Sequence, residues 1–207
     1  MHIFTVDIKT RDNVHKRMAK RSDFPRRPQD AYDTIDPRAV AALVPFLRRD
    51  GVRTFAEPCC GNGHLLDQLT AHGLRCVLAS DIRGGIDALT LPDFNRPDAI
   101  ITNPPWTRKI LHPMIQHFVR HAPTWLLFDS DWAYNAEAAP YLSLCTDIVV
   151  VGRLKWIAGT PHQGKDNVSW YRFAVRRSGQ TVFHNRRTRS GAAPGSRVGQ
   201  ENEQAAA

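Results

Sequence analysis

The sequence predicts an α/β fold, a mostly parallel sheet with helices on both faces. Three observations carry this. Short apolar runs alternate with segments of helical spacing, the pattern of repeated strand–helix units. Most of those runs are continuously apolar, as strands covered on both faces are. The chemically sharpest residues, Glu57, Asp81, Asn103 and Asp129, all fall where such a run ends. In open parallel sheets ligands bind at the carboxyl ends of the strands.

The elements follow in order. Asp36 reads as an N-cap and Pro37 as the first helical residue, before Val40, Leu43, Val44 and Leu47 at helical spacing. Arg53 to Pro58 reads as a short strand. Gly63 to Ala71 reads as a helix with Leu65, Leu66 and Leu69 inward, stopped by Gly73. Cys76 to Ala79 and Ala99 to Thr102 are apolar strands. Ile110, Leu111, Met114, Ile115, Phe118 and Val119 make a wide helical face. Trp125 to Phe128 and Ile148 to Val151 are further strands. Trp170 to Val175 alternates, which suits an edge or antiparallel strand.

The chain has 207 residues, 42% hydrophobic and 23% charged, enough for one domain with a sizeable core. It contains no membrane-length apolar run, and its start, MHIFTVDIKTRD, lacks a basic-then-apolar secretion signal. The expectation is a cytoplasmic protein without a membrane partner. The four cysteines, Cys59, Cys60, Cys76 and Cys145, form no C-x-x-C pair, and the nine histidines show no metal spacing. Reduced thiols and no metal are expected, with Cys59 and Cys60 as packing residues.

The net charge of +8 is unevenly placed. Residues 1–30 carry eight Lys/Arg against four Asp/Glu, and residues 176–207 carry six against two. Residues 31–175 balance at fourteen each. A basic N-terminal segment (1–30) therefore precedes a neutral domain (31–178). Residues 186–207 are polar and without periodicity, as disordered tails are. Basic flanks suit a polyanion such as nucleic acid, or serve solubility alone.

The loop EPCCGNGHLL, residues 57–66, joins the first strand to a helix. Gly61 and Gly63 let the backbone approach a ligand, and the helix start adds free N–H groups. A dinucleotide fingerprint would need glycine where Leu66 stands, and a triphosphate loop would need G-K-[ST], which is absent. Asp81, ending the next strand, can accept hydrogen bonds from both hydroxyls of a ribose. A structural turn with a capping aspartate is the alternative.

The stretch DAIITNPPWTRK, residues 98–109, ends a buried strand with two adjacent prolines. Neither has an N–H for a sheet ladder, so Asn103 to Trp106 form a rigid loop at the strand end. Loops of this kind carry function.

Together, Glu57-Pro58 with Gly61 and Gly63, then Asp81, then Asn103-Pro104-Pro105-Trp106 resemble the class I S-adenosylmethionine-dependent methyltransferases, which are Rossmann-like. The tetrapeptide resembles the [DN]-P-P-[FYW] motif of their amino-methylating branch, best known from adenine-specific DNA methyltransferases. The resemblance spans roughly residues 30–175. It implies S-adenosyl-L-methionine as cofactor, with Glu57, Pro58, Cys59, Gly61, Gly63 and Asp81 binding it. Tyr32, Asp33 and Thr34 resemble the segment that precedes the cofactor loop. Asp87 resembles the acidic position near the cofactor adenine.

The implied chemistry suits the residues. An exocyclic amine is a poor nucleophile because its lone pair is delocalised into the ring. The Asn103 side-chain oxygen and the Pro104 carbonyl can each accept one amine hydrogen, localising that lone pair. The prolines, Pro105 included, fix the carbonyl outward, and Trp106 offers a face for a flipped base. Arg108, Lys109 and Lys165 are candidate substrate contacts. Segment 154–170, with Lys155, His162, Asp166 and Asn167, either faces substrate or is an ordinary hairpin loop.

The expected acceptor is adenine N6 in DNA, and a chain without a separate recognition region resembles enzymes of bacteriophages and prophages. RNA bases or a protein glutamine are alternative acceptors. A non-catalytic nucleic-acid-binding protein is a rival of another class. An NAD-dependent oxidoreductase would need the third glycine.

Overall fold

The computed structural model describes residues 32–159, 161–175 and 180–186. The N-terminal segment 1–30 and residues 187–207 of the expected tail lie outside the described residues.

Helix α1 spans Arg38–Arg49, strand β1 Thr54–Glu57, α2 His64–Ala71, β2 Arg75–Ala79 and β3 Ala99–Thr102. Then come α3 Arg108–Phe118, β4 Thr124–Asp129, α4 Ala139–Leu142, β5 Cys145–Gly152, β6 Val168–Phe173 and β7 Val182–His184. The seven strands form one sheet in the order β2-β1-β3-β4-β6-β5-β7. Only β6 is antiparallel to its neighbours; every other pair is parallel. This is the Rossmann-like α/β class expected from the sequence.

Alternate residues of each strand feed opposite faces. Phe55, Ile101, Trp125, Leu127 and Trp170 join α1 and α2 in one buried cluster. Ala56, Ile100, Leu126, Phe128 and Tyr171 join α3 in the other. Helix α1 starts one residue later than the sequence reading has it, at Arg38 with Pro37 as N-cap; the Arg38 N–H donates to Asp36 Oδ1 at 3.1 Å, and Val40, Leu43, Val44 and Leu47 are buried as their spacing predicts. The Trp170 indole N–H donates to the Ala39 carbonyl at 2.9 Å, tying that helix to β6.

The structure departs from the sequence reading at several places. Strand β6 lies inside the sheet, between β4 and β5, and not at an edge. Leu66 is only half-buried, and Ile110, 37% exposed, does not join the inward face of α3. The link from β2 to β3 contains no α-helix, only a 3₁₀ turn at Ile82–Gly84. Buried Ala88 and Phe94 cover the sheet there instead. Strand β7 and the short α4 have no periodic signal long enough to read.

A polar lock joins α1 to the far end of the sheet. Arg49 donates to Asp147 Oδ1 at 2.8 Å, Thr146 Oγ1 donates to Asp147 Oδ2 at 2.8 Å, and His184 Nε2 lies 2.8 Å from Asp147 Oδ1. Burial raises the Asp147 pKa, but the bonds from Arg49, His184 and Thr146 outweigh it and bring it down to about 2. A carboxylate with a depressed folded pKa stabilises above its unfolded value of about 4 and loses that as pH falls through the folded one. Asp147→Asn should therefore cost about 2 kcal/mol at neutral pH. In acid titrations of unfolding, the gap from wild type should close between about pH 4 and pH 2. A gap of constant size across that range would refute the lock.

Candidate active site

Strand β1 sits between β2 on one side and β3 on the other, so the chain reverses its direction of winding there. Connections leaving the two sides part and open a crevice at the carboxyl ends. Glu57 ends β1 at that crevice, and Asn103 directly follows β3.

After Glu57 the chain turns through Gly61 (φ +56°) and Gly63 (φ +83°) into α2. Both conformations favour glycine. At Gly61 the need is also steric: a Cβ would come within 2.5 Å of Asp33 Oδ1. The Gly61 N–H donates to Asp81 Oδ2 at 2.9 Å, so the carboxylate ending β2 holds the glycine loop. Asp81 Oδ1 accepts from both the Arg83 N–H and Arg83 Nε, each at 3.0 Å. Burial pushes the Asp81 pKa up, but the bonds from Arg83 and Gly61 prevail and keep it below the usual carboxylate range.

The segment Tyr32–Thr34 lies over this loop as a strap. Asp33 accepts a hydrogen bond from the Asn62 side chain, and His64 Nε2 is 4.0 Å from Asp33 Oδ2. Gln68 Nε2 donates to the Thr34 carbonyl at 2.6 Å. Between strap, loop and β3 is a small, partly open cleft lined by Tyr32, Asp33, Thr34, Glu57, Cys59, Cys60, His64, Leu65 and Asn103.

Glu57 dominates the electrostatics of the cleft. It is 1% exposed, and its Oε2 has no hydrogen-bond partner among the described residues. Burial raises its pKa well above the usual range, and Asp33, Asp67 and Asp81 raise it further. A buried carboxylate among other carboxylates disfavours an anion and favours a cation. Burial also pushes the Cys59 thiol up to about 12, so it lines the cleft as a neutral group.

The N-P-P-W loop borders the same cleft. Asn103 Nδ2 donates to the Tyr32 carbonyl at 2.9 Å and to Thr34 Oγ1 at 3.2 Å. Its Oδ1 accepts from Trp106 Nε1 at 3.1 Å. The amide is thereby fixed from both ends, and an amide oxygen keeps a second lone pair for a ligand. Pro104 is buried and Pro105 exposed. Trp106 is half-buried and meets Trp156 edge-on, with ring centroids 5.8 Å apart.

The structure thus brings Tyr32, Thr34, Glu57, Cys59 and Asn103 together around one cleft, with Gly61 and Asp81 bracing its loop. Pro58 is buried in the turn after β1, and Gly63 leads into α2. Asp87 stands apart from the cleft lining: its Oδ1 accepts the Leu89 N–H at 2.9 Å, as a turn cap does. Asp129 likewise caps a turn, accepting the Asp131 N–H at 3.0 Å. Arg108 pairs with Glu137 at 2.7 Å, and Lys109 and Lys165 are exposed outside the cleft.

The sequence reading missed Cys60, His64 and Leu65 as lining residues, although all three lie inside the loop it singled out. It also missed Trp156. That ring is 7% exposed and lies edge-on to Tyr32, with ring centroids 6.3 Å apart, in the connection from β5 to β6. Among the described residues, no group of three or more His, Cys, Asp or Glu is placed to hold a metal ion. No described helix is long and apolar enough to cross a membrane.

No known family of sequences matches the chain, and no curated protein matches it. Among solved structures, it resembles a provisionally named class I S-adenosylmethionine-dependent methyltransferase of Listeria monocytogenes, at TM-score 0.47 and 12% identity over 75% of this chain and 66% of that one. It also resembles a dimethyladenosine transferase of Plasmodium falciparum, at TM-score 0.43 and 16% identity over 64% of this chain and 60% of that one. A precorrin-6y C5,15-methyltransferase of Geobacter metallireducens matches at TM-score 0.34 and 9% identity, over 59% of this chain and 79% of that one. The chain spans just under two thirds of the first two. The fold assignment rests on the strand order itself.

A raised folded pKa reverses the sign found for Asp147. Glu57 lowers stability as pH rises from about 4 through its folded pKa, because the native state then holds more protons than the unfolded chain. Glu57→Gln removes the buried charge and should raise the melting temperature of the ligand-free protein by ~2–4 °C per kcal/mol relieved. The gain should be larger at pH 8 than at pH 5 in scanning calorimetry. A loss of stability at pH 8 would show that the carboxylate is satisfied after all.

Proposed function

We propose that the protein transfers a methyl group from S-adenosylmethionine to an exocyclic amine, with adenine N6 in DNA as the acceptor. The observation that carries this is the Asn103 amide, fixed at the carboxyl end of β3, beside a cleft whose buried Glu57 has one oxygen without a partner among the described residues.

The residues present fit the cofactor. Its charges include an ammonium and a sulfonium, and the orphaned Glu57 oxygen is an acceptor in need of a cation. Asp81 retains acceptor capacity for ribose hydroxyls beyond its bonds to Gly61 and Arg83. Tyr32, Thr34, Pro58, Cys59, Gly61 and Gly63 supply the rest of the binding wall. Asp87, at its turn beyond β2, is proposed for the adenine end.

When bound, the cofactor supplies a methyl group on a positively charged sulfur. The protein positions the acceptor. Asn103 Oδ1 and the Pro104 carbonyl each accept one amine hydrogen and concentrate the lone pair on nitrogen. The amine's surplus proton would leave to solvent. Pro105 stiffens the loop, and Trp106 orients the Asn103 amide while offering its exposed part to the base. Exposed Lys109 and Lys165, with Arg108, suit the phosphates of a nucleic acid. The setting that supports this reading is the cytoplasm of a bacterium or of a phage-infected cell.

The test is transfer of a labelled methyl group to DNA, RNA and a protein extract in parallel, followed by digestion of the product. Label in N6-methyladenine from DNA is expected. Label confined to RNA or protein would overturn the acceptor and keep the chemistry. Asn103→Ala should cut turnover at least about a hundredfold, ~2.7 kcal/mol, while cofactor affinity stays within tenfold. Asp81→Ala should weaken cofactor binding by more than about tenfold. Equal losses of affinity and turnover in Asn103→Ala would remove the role given to it.

A further inference from the structure

Two walls rise on either side of the N-P-P-W loop. Trp106 packs against both buried clusters, so the loop lies between the two faces of the sheet. On the α1 face, the chain leaving β5 is tied down: Lys155 N–H donates to Asp36 Oδ2 at 3.0 Å, and Arg38 donates to the Arg153 carbonyl at 3.0 Å. Leu154 and Trp156 turn inward, while Arg153 and Lys155 stay exposed. This leaves a short basic ridge.

On the α3 face, the chain leaving β4 forms the 3₁₀ turn Ser130–Tyr134. Strand β4 is the direct parallel neighbour of β3, so this turn and the Asn103 loop leave the same end of the sheet. It is anchored from several sides. Trp132 is buried and donates its indole N–H to His112 at 3.0 Å, and Asn135 Nδ2 donates to the Asp131 carbonyl at 2.7 Å. Just beyond the turn, Glu137 holds Arg108, the first residue of α3. At the end of this rigid turn Tyr134 is 83% exposed, the most exposed large hydrophobic side chain among the described residues.

A single exposed apolar side chain is ordinary. An exposed aromatic ring carried by a hydrogen-bonded turn at the carboxyl end of the strand next to β3 offers a stacking surface to a base. Resting on the nucleic-acid reading above, we propose that Tyr134 stacks on the nucleobase adjacent to the target, and that Arg153 and Lys155 on the opposite wall hold the phosphates of the same strand.

The experiment uses the full chain and a fluorescein-labelled single-stranded DNA with one adenine, read by anisotropy with the cofactor's demethylated product present. A second DNA replaces the nucleotides flanking that adenine with abasic spacers. Tyr134→Ala should weaken binding of the first DNA about tenfold, in the range of stacking on one aromatic ring, and of the second less than twofold. Tyr134→Phe should bind both as wild type does, since the ring and not the hydroxyl is used. Arg153→Ala with Lys155→Ala should weaken both DNAs alike and flatten the dependence on salt. Equal weakening of both DNAs by Tyr134→Ala, or none, would overturn the stacking role while nucleic-acid binding stands. A wild-type protein that binds neither DNA would overturn the reading beneath it.

Discussion

The reversal of winding at β1 is the constraint on which the site depends. Because β2 lies on one side of β1 and β3 on the other, the loops leaving β1 and β3 diverge and cannot fill the space between them. Glu57 and Asn103 are placed at that gap by strand order alone. The details then secure it. Asp81 holds Gly61 from the β2 side, and Asn103 holds the Tyr32–Thr34 strap from the β3 side. Both are polar bonds across strand ends, where no sheet ladder is available to satisfy the backbone.

The unpaired carboxylate of Glu57 sets what the gap can hold. Buried carboxylates are costly, and one left without a partner persists where function requires it. Asp33 and Asp81 add negative charge; Arg83 pairs with Asp81, and the His64 ring lies 4.0 Å from Asp33. A pyrophosphate would meet repulsion here despite the glycine-rich turn and the helix start. Glycine spacing alone does not distinguish this site from a dinucleotide site; the buried carboxyl of Glu57 among Asp33, Asp67 and Asp81 does.

Much of the fold was legible because helical and strand periods agree with the packing. Val40, Leu43, Val44 and Leu47 face inward as their spacing requires, and β3 starts and ends where its apolar run does. The placement of β6 was not legible. Alternation marked Trp170 to Val175 as an edge or antiparallel strand, and it is antiparallel, but which strands it joins depends on pairing across distant parts of the chain. The β2–β3 link offers Gly84, Gly85 and Pro92, which signal turns without showing that Phe94 would fill a helix's place. In the site, Glu57, Gly61, Asp81 and Asn103 stood out by type and position. Trp156 did not, because an aromatic residue in a hairpin loop has no spacing that predicts its contacts with Tyr32 and Trp106.

The central claim is that an acidic cleft at this switch point selects a cationic cofactor. Calorimetric titration of the intact protein with S-adenosylmethionine, and separately with NAD, tests it most directly. Repeating the first titration in buffers of different ionisation enthalpy counts the protons released. The account predicts binding of S-adenosylmethionine with proton release, as a cation draws Glu57 into its charged form, and no binding of NAD. Tighter binding of NAD, or no binding of S-adenosylmethionine, would contradict it.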